Sequence, residues 1–238
     1  MTVFVSFLTF LVLVFILWTQ WKVYSTFKHY SRVQNKRDIT GYEAATMLLR
    51  ELNLSDIRIE EIDGKLKDHY EPDNFVIKLT KPVYQLQSIS ALCVVAHEIG
   101  HVLQNKEEYI PFKIRSVVLP MANFSSKAAI PVFAAGAAST LVTYNPVIAY
   151  LGVILFVLAI IFQIATLPVE YDASTRGIKL LAKYGLIQKS EVEAVKKVLD
   201  AAALTYIATL AATILALIKI LVLIKMKKKE RENNQNIM

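Results

Sequence analysis

Ala96-His97-Glu98-Ile99-Gly100-His101 is the stretch from which the rest of this chain is read. It has the form HExxH. On a helix, residues i and i+4 lie on one face, so both imidazoles can reach a single metal ion. The carboxylate next to the first histidine can then reach a water on that ion. The flanks favour a helix. Ser88 to Val95 leads in, Val102-Leu103-Gln104 follows, and no proline lies between Ser88 and Tyr109. Gly100, between the two histidines, leaves room for a neighbouring element. The plainer alternative is an ordinary helix with two surface histidines. It fits poorly, because His97 and His101 follow a nearly uncharged apolar run in which lone imidazoles would need partners.

Around this motif the composition is that of a membrane protein. The 238 residues are 55% apolar, with mean hydropathy +0.42, which allows one modest soluble region beside several spans. The single cysteine, Cys93, excludes an internal disulfide and any CxxC metal site. It lies four residues before His97 and reads as a small core residue. Val3 to Trp18 is apolar apart from Ser6 and Thr9, and Thr19-Gln20-Trp21 extends it to span length. Only Met1 and Thr2 precede the run, and Trp18, Trp21 and Tyr24 follow it. These features suit an uncleaved anchor with an interfacial aromatic belt and not a signal peptide. Lys22, Lys28, Arg32, Lys36 and Arg37 then place this flank in the cytoplasm by the positive-inside rule. Basic charge of this kind is routine beside a membrane and implies no nucleic-acid partner.

A small soluble region begins near Asp38. Thr40-Gly41-Tyr42-Glu43 fits a capping box opening a helix with Ala45, Leu48, Leu49 and Leu52 on its apolar face. Ile57 to Ile62 alternates like a strand, Asp63-Gly64 is a hairpin-turn signal, Lys65 to Tyr70 returns, and Phe75 to Leu79 makes a third strand. The expectation is a short antiparallel sheet beside the HExxH helix. In zincin proteases a strand near that helix pairs with the extended substrate, and Phe75 to Leu79 is the candidate. His69, on the second strand, could polarise a carbonyl or stabilise an oxyanion, or could be a surface histidine. His29, in the basic flank, has no expected role.

Beyond His101 a polar loop, Asn105 to Glu108, precedes a nearly uncharged run from Val117 to Val142. Its Ala and Gly content suits close helix packing in a bilayer. A turn at Tyr144-Asn145-Pro146 and a second apolar run, Val147 to Val169, complete a transmembrane hairpin. The hairpin returns the chain to the side it left, so residue 170 emerges on the face that carries His97 and His101. A catalytic zinc takes three protein ligands and a water. The metzincin extension would put glycine at position 104 and histidine at 107, where this chain has Gln104 and Glu107. No histidine follows His101. The third ligand is therefore a carboxylate, or the site is incomplete; Pro168-Val169-Glu170-Tyr171-Asp172-Ala173-Ser174, opening a helix to about Tyr184, is the best source of one.

The HEIGHVLQ run, the GKLKDHYEP run (Gly64 to Pro72) and the PVEYDAS run (Pro168 to Ser174) together resemble the YugP-type family of bacterial membrane zinc metallopeptidases, over nearly the whole chain. The resemblance implies a gluzincin-like site in which His97, His101 and Glu170 hold zinc and Glu98 is the general base. Glu170-Tyr171-Asp172-Ala173 is also similar to the membrane-embedded HtpX and CAAX-protease group, which usually has an aspartate where this chain has Ser174. Asp172 is then a candidate to orient a ligand histidine, as carboxylates behind metal ligands often do. It is also the alternative ligand, and Tyr171 joins His69 as an oxyanion candidate.

Together these readings describe an α-helical membrane protein with about four transmembrane helices and a small α+β zincin-like catalytic region. Residues 1–21 are the anchor and 22–116 the soluble region with the HExxH helix. Residues 117–169 form the hairpin, 170–200 the helices carrying the third ligand, 201–224 a further span and 225–238 a disordered basic and polar tail. The expected partners are the lipid bilayer and a peptide or protein substrate, membrane proteins included. The expected cofactor is one Zn2+ per chain. The expected location is a bacterial cell membrane with the site on the cytoplasmic face. Lys179, Lys183, Lys189, Lys196 and Lys197 agree with that side. Four full spans would place the basic tail outside, against the charge rule, unless the last run does not cross. Two rival functions stand beside the peptidase: a metal-dependent hydrolase of a non-peptide substrate, and a non-catalytic scaffold around a structural zinc, with Cys93 as the reserve fourth ligand. Two histidines and a carboxylate also serve iron enzymes, but Glu98 sits where a hydrolytic base belongs.

Overall fold

In the computed structural model, residues 2–119 and 147–235 are described. The expected first arm of the hairpin and its turn lie outside them, apart from residues 117–119, which are helical. The described chain falls into two units. One comprises residues 1–17, 115–165 and 206–238, the other 18–114 and 166–205.

The first unit contains apolar helix. Helix α1 (Thr2–Tyr30) begins there, α6 (Val147–Lys183) and α7 (Val192–Gln235) run through it, and a further helix, α5, covers residues 110–119. Phe156 and Ile220 bury each other, with Val153, Leu155, Ala216 and Leu217 around them. Among the described residues three helices are long and apolar enough to cross a membrane: Phe4–Tyr30, Tyr150–Lys183 and Val192–Met226. Phe4, Phe7, Phe10, Leu13 and Leu17 stay exposed on α1, as a lipid-facing helix requires.

Two boundaries differ from the sequence expectation. The helix of Glu170 does not open at Pro168. It continues without a break from the apolar run, with Pro168 inside it. Proline removes one N–H from a helix but does not stop it where surrounding structure compensates. The tail from Lys225 is not disordered as far as Gln235, because α7 carries on through it. Its Lys, Glu and Arg residues are good helix formers and need only extend an existing helix.

The second unit holds the globular core. Thr40 caps α2 (Gly41–Glu51) with both halves of the capping box formed. Ala44, Ala45, Leu48 and Leu49 bury the inner face of α2. Strands β1 (Arg58–Ile62), β2 (His69–Glu71) and β3 (Val76–Thr80) form one sheet in the order β1-β3-β2. The sheet is mixed and not antiparallel: β1 pairs parallel to β3, and β2 antiparallel to it. The expected hairpin between β1 and β2 does not form. Gly64 takes φ +121° in a loop that runs on to Asp68. The cause is burial. Val76, Ile77, Leu79 and Thr80 are all buried, so β3 takes the centre, where both faces and both edges are covered. Asp68 then ties the loop to the end of β3, accepting from Thr80 N at 2.6 Å and from Thr80 Oγ1. Because β3 is central, it cannot be the free edge expected of it; the edges are β1 and β2. A short α3 (Lys81–Gln85) leads to α4 (Ile89–Lys106), whose N-cap is Ser88.

Candidate metal centre

Helix α4 carries the HExxH residues through the middle of this core. Leu92, Val95, Ala96 and Ile99 bury its inner surface, and α6 crosses the other side at backbone contact. A Cβ on Gly100 would lie 2.4 Å from Ala173 O, and one on Gly177 would lie 2.9 Å from Ala96 O. Each helix therefore offers an alanine and a glycine four apart, and each glycine meets the other helix's alanine. This close approach sets α6 against the histidines.

Its consequence is the position of Glu170. Its Oε2 lies 3.2 Å from His97 Nε2 and 3.7 Å from His101 Nε2. The two rings meet edge to face with centroids 4.7 Å apart, and one donor atom from each residue falls within 4.8 Å of the others. A tetrahedral zinc with bonds of about 2.0–2.1 Å separates its ligands by about 3.3 Å. The spacing and the chemistry of two imidazoles and a carboxylate therefore fit that ion.

The far nitrogens are also engaged. His97 Nδ1 lies 3.1 Å from Ser174 Oγ, and His101 Nδ1 lies 2.9 Å from Gln104 Oε1. Glu98, next to His97 in the chain, is buried, and its Oε2 accepts the Tyr70 N–H of β2 at 2.8 Å. The edge strand β2 is thus joined directly to this acid.

The match of a family model described as "Putative neutral zinc metallopeptidase" extends over residues 5–225. The chain is also 40% identical over 213 residues to "Putative membrane protease YugP" of Bacillus subtilis (strain 168), covering 90% of this chain and 93% of that one. No solved structure matches it. The chain belongs to the YugP-type family of membrane zinc metallopeptidases.

Within this family member, the other residues singled out from the sequence fall into two groups. Asp172 joins the polar cluster without touching the two rings: it accepts from Gln104 Nε2 and from Arg176 Nε, and Arg176 also pairs with Glu107. Tyr171 and His69 are exposed, and His69 Nδ1 lies 2.8 Å from Lys67 O. His29 is exposed and packs its ring edge against Tyr30. Cys93 is in the core, with Sγ 3.8 Å from Val195 O, and burial pushes its thiol pKa far up. The residues around Gln104 mark it as part of the helical flank of HExxH and as a departure from the metzincin pattern, not as a partner of His101. Its part here rests on Val169 and Asp172 of α6, both more than sixty residues away, and no local motif signals it.

Proposed function

We propose that the protein is a membrane-anchored zinc metalloendopeptidase. The convergence of His97, His101 and Glu170, with Glu98 beside them, carries this reading. The three would hold zinc, which when bound supplies a Lewis acid and an acidified water. Glu98 is the general base. It takes a proton as the scissile carbonyl is attacked and returns it to the leaving amine. The Tyr70 amide holds one oxygen of Glu98, which fixes the direction of the carboxylate before substrate arrives. Strand β2 is the sheet edge bonded to Glu98, so an extended peptide is best placed along β2. Among the described residues the cluster has three protein donors, which leaves a coordination position open; a structural zinc would be closed by four. Cys93 packs against Val195 in the core, so it does not favour the scaffold.

The basic residues of 22–37 and 179–197 support a site on the cytoplasmic face, and its substrates are then proteins or segments near the membrane surface. The reading is tested by elemental analysis and by cleavage of an unstructured protein such as casein. About one zinc per chain in wild type, its loss in Glu170→Ala, and chelator-sensitive cleavage are expected. Metal-free wild type, or cleavage indifferent to chelator, would refute it.

A further inference from the structure

Gln104 plays no part in the chemistry above, yet it is fully buried one turn beyond His101. A buried amide must find acceptors for its N–H groups and a donor for its carbonyl. Gln104 finds all three: Nε2 donates to Val169 O and to Asp172 Oδ2, both at 2.8 Å, and Oε1 faces His101 Nδ1. Which end of the amide faces which group is dictated by the partners. A backbone carbonyl and a carboxylate only accept, so the NH2 end must face α6. The carbonyl end then faces His101, and only a proton on Nδ1 can satisfy it. Arg176 grips the same Asp172 oxygen and is itself braced by Glu107. A protonated Nδ1 leaves the lone pair on Nε2, the nitrogen directed at Glu170. His97 is held differently: Ser174 Oγ can donate or accept, so it permits either tautomer.

We infer that Gln104 is a positioning residue that fixes the tautomer and orientation of His101, and that Asp172 and Arg176 act on the metal centre through it. This inference rests on the zinc-site reading above. The test is the rate and affinity of zinc release to a chromogenic chelator, measured on the full-length protein in detergent, with thermal midpoints recorded beside it. Gln104→Leu is expected to weaken zinc binding about 10–100-fold, the range for partners behind a metal ligand, and Ser174→Ala by less. Gln104→Glu is no clean rescue, because it sets a carboxylate against both Val169 O and Asp172 Oδ2. A merely structural glutamine would not move the tautomer itself, so 15N spectra of the histidine rings are recorded beside the zinc measurements: His101 should carry its proton on Nδ1 in wild type and lose that preference in Gln104→Leu. Asp172→Ala should weaken zinc binding in wild type and add little in Gln104→Leu, as a residue acting through Gln104 must. Wild-type zinc affinity in a folded Gln104→Leu, an unchanged His101 tautomer in it, or a fully additive Asp172→Ala overturns the inference. If Glu170→Ala still loses its zinc while these results hold, the metal reading survives alone. A wild type without zinc overturns both.

Discussion

Glu98 and Glu170 are both buried acids at one centre, and their neighbours separate their roles. Glu170 has two imidazole nitrogens before it, whereas Glu98 has a backbone N–H from β2. Replacing Glu98 with glutamine keeps the shape and removes the base. Cleavage should fall by roughly 10²–10⁴-fold while elemental analysis still finds the zinc; undiminished cleavage would remove Glu98 from the mechanism. Asp68 offers a pH test nearby. Burial raises its carboxyl pKa above the ordinary value, against the hydrogen bonds from Thr80 that lower it, and the charge of Glu98 adds to the rise. A pKa higher in the folded than in the unfolded chain means that ionisation costs stability. That cost is absent below the unfolded value of about 3.9 and grows as pH rises through it. It is complete above the folded value. Asp68→Asn should therefore match wild type in acid and be the more stable at neutral pH. Thermal midpoints across a pH series check this, and a variant less stable at neutral pH would contradict it.

Helices α4 and α6 form the site because their backbones touch, and that contact depends on glycine. A methyl on Gly100 would overlap Ala173 O, and neither backbone can yield without moving Glu170 from the histidines. Gly100→Ala should destabilise the fold by about 1–3 kcal/mol, as overpacking does, and should weaken zinc binding as well. Denaturation with chelator titration separates the two, and retention of both stability and zinc would show the contact to be slack. The capping box of α2 lies away from the site. Thr40→Ala should cost about 1 kcal/mol and leave zinc content unchanged. The sheet makes the complementary point. Asp63-Gly64 has the chemistry of a hairpin turn, but β3 has more apolar surface to bury than β1, and the central place goes to the strand with most to bury.

Three helices suited to a membrane, together with the family match, describe a protein that lives in a bilayer. At 1.5 Å per residue, the 37 residues of α6 extend about 55 Å, and the hydrocarbon core is about 30 Å thick. A helix of that length can cross the bilayer and still carry metal-site residues at one end. The chain should stay with the membrane fraction through alkaline extraction and require detergent for release. Its sidedness is open to cysteine labelling, since Cys93 is buried. Arg37→Cys and Lys189→Cys should react with an impermeant maleimide only after cells are opened. Labelling of intact cells would put the site outside.

Local pattern was enough for much of this protein. HExxH spacing, the capping box and the apolar runs depend on neighbours a few residues apart, so the helix of His97 and His101, the cap at Thr40 and the apolar helix α1 were legible from the residues alone. Elimination of other ligands narrowed the candidates for a third one to the stretch holding Glu170 and Asp172, family resemblance pointed to Glu170, and the structure groups Glu170 with the two histidines. Strand order, the unbroken course of α6 and α7, and the partners of Gln104, Ser174 and Glu98 were not legible. Each depends on which surfaces compete for burial and which distant backbones come into contact. β3 entered the centre of the sheet through burial on both faces. Gln104 gained its role when α6 brought Val169 O and Asp172 to an amide that local sequence had no means of pairing.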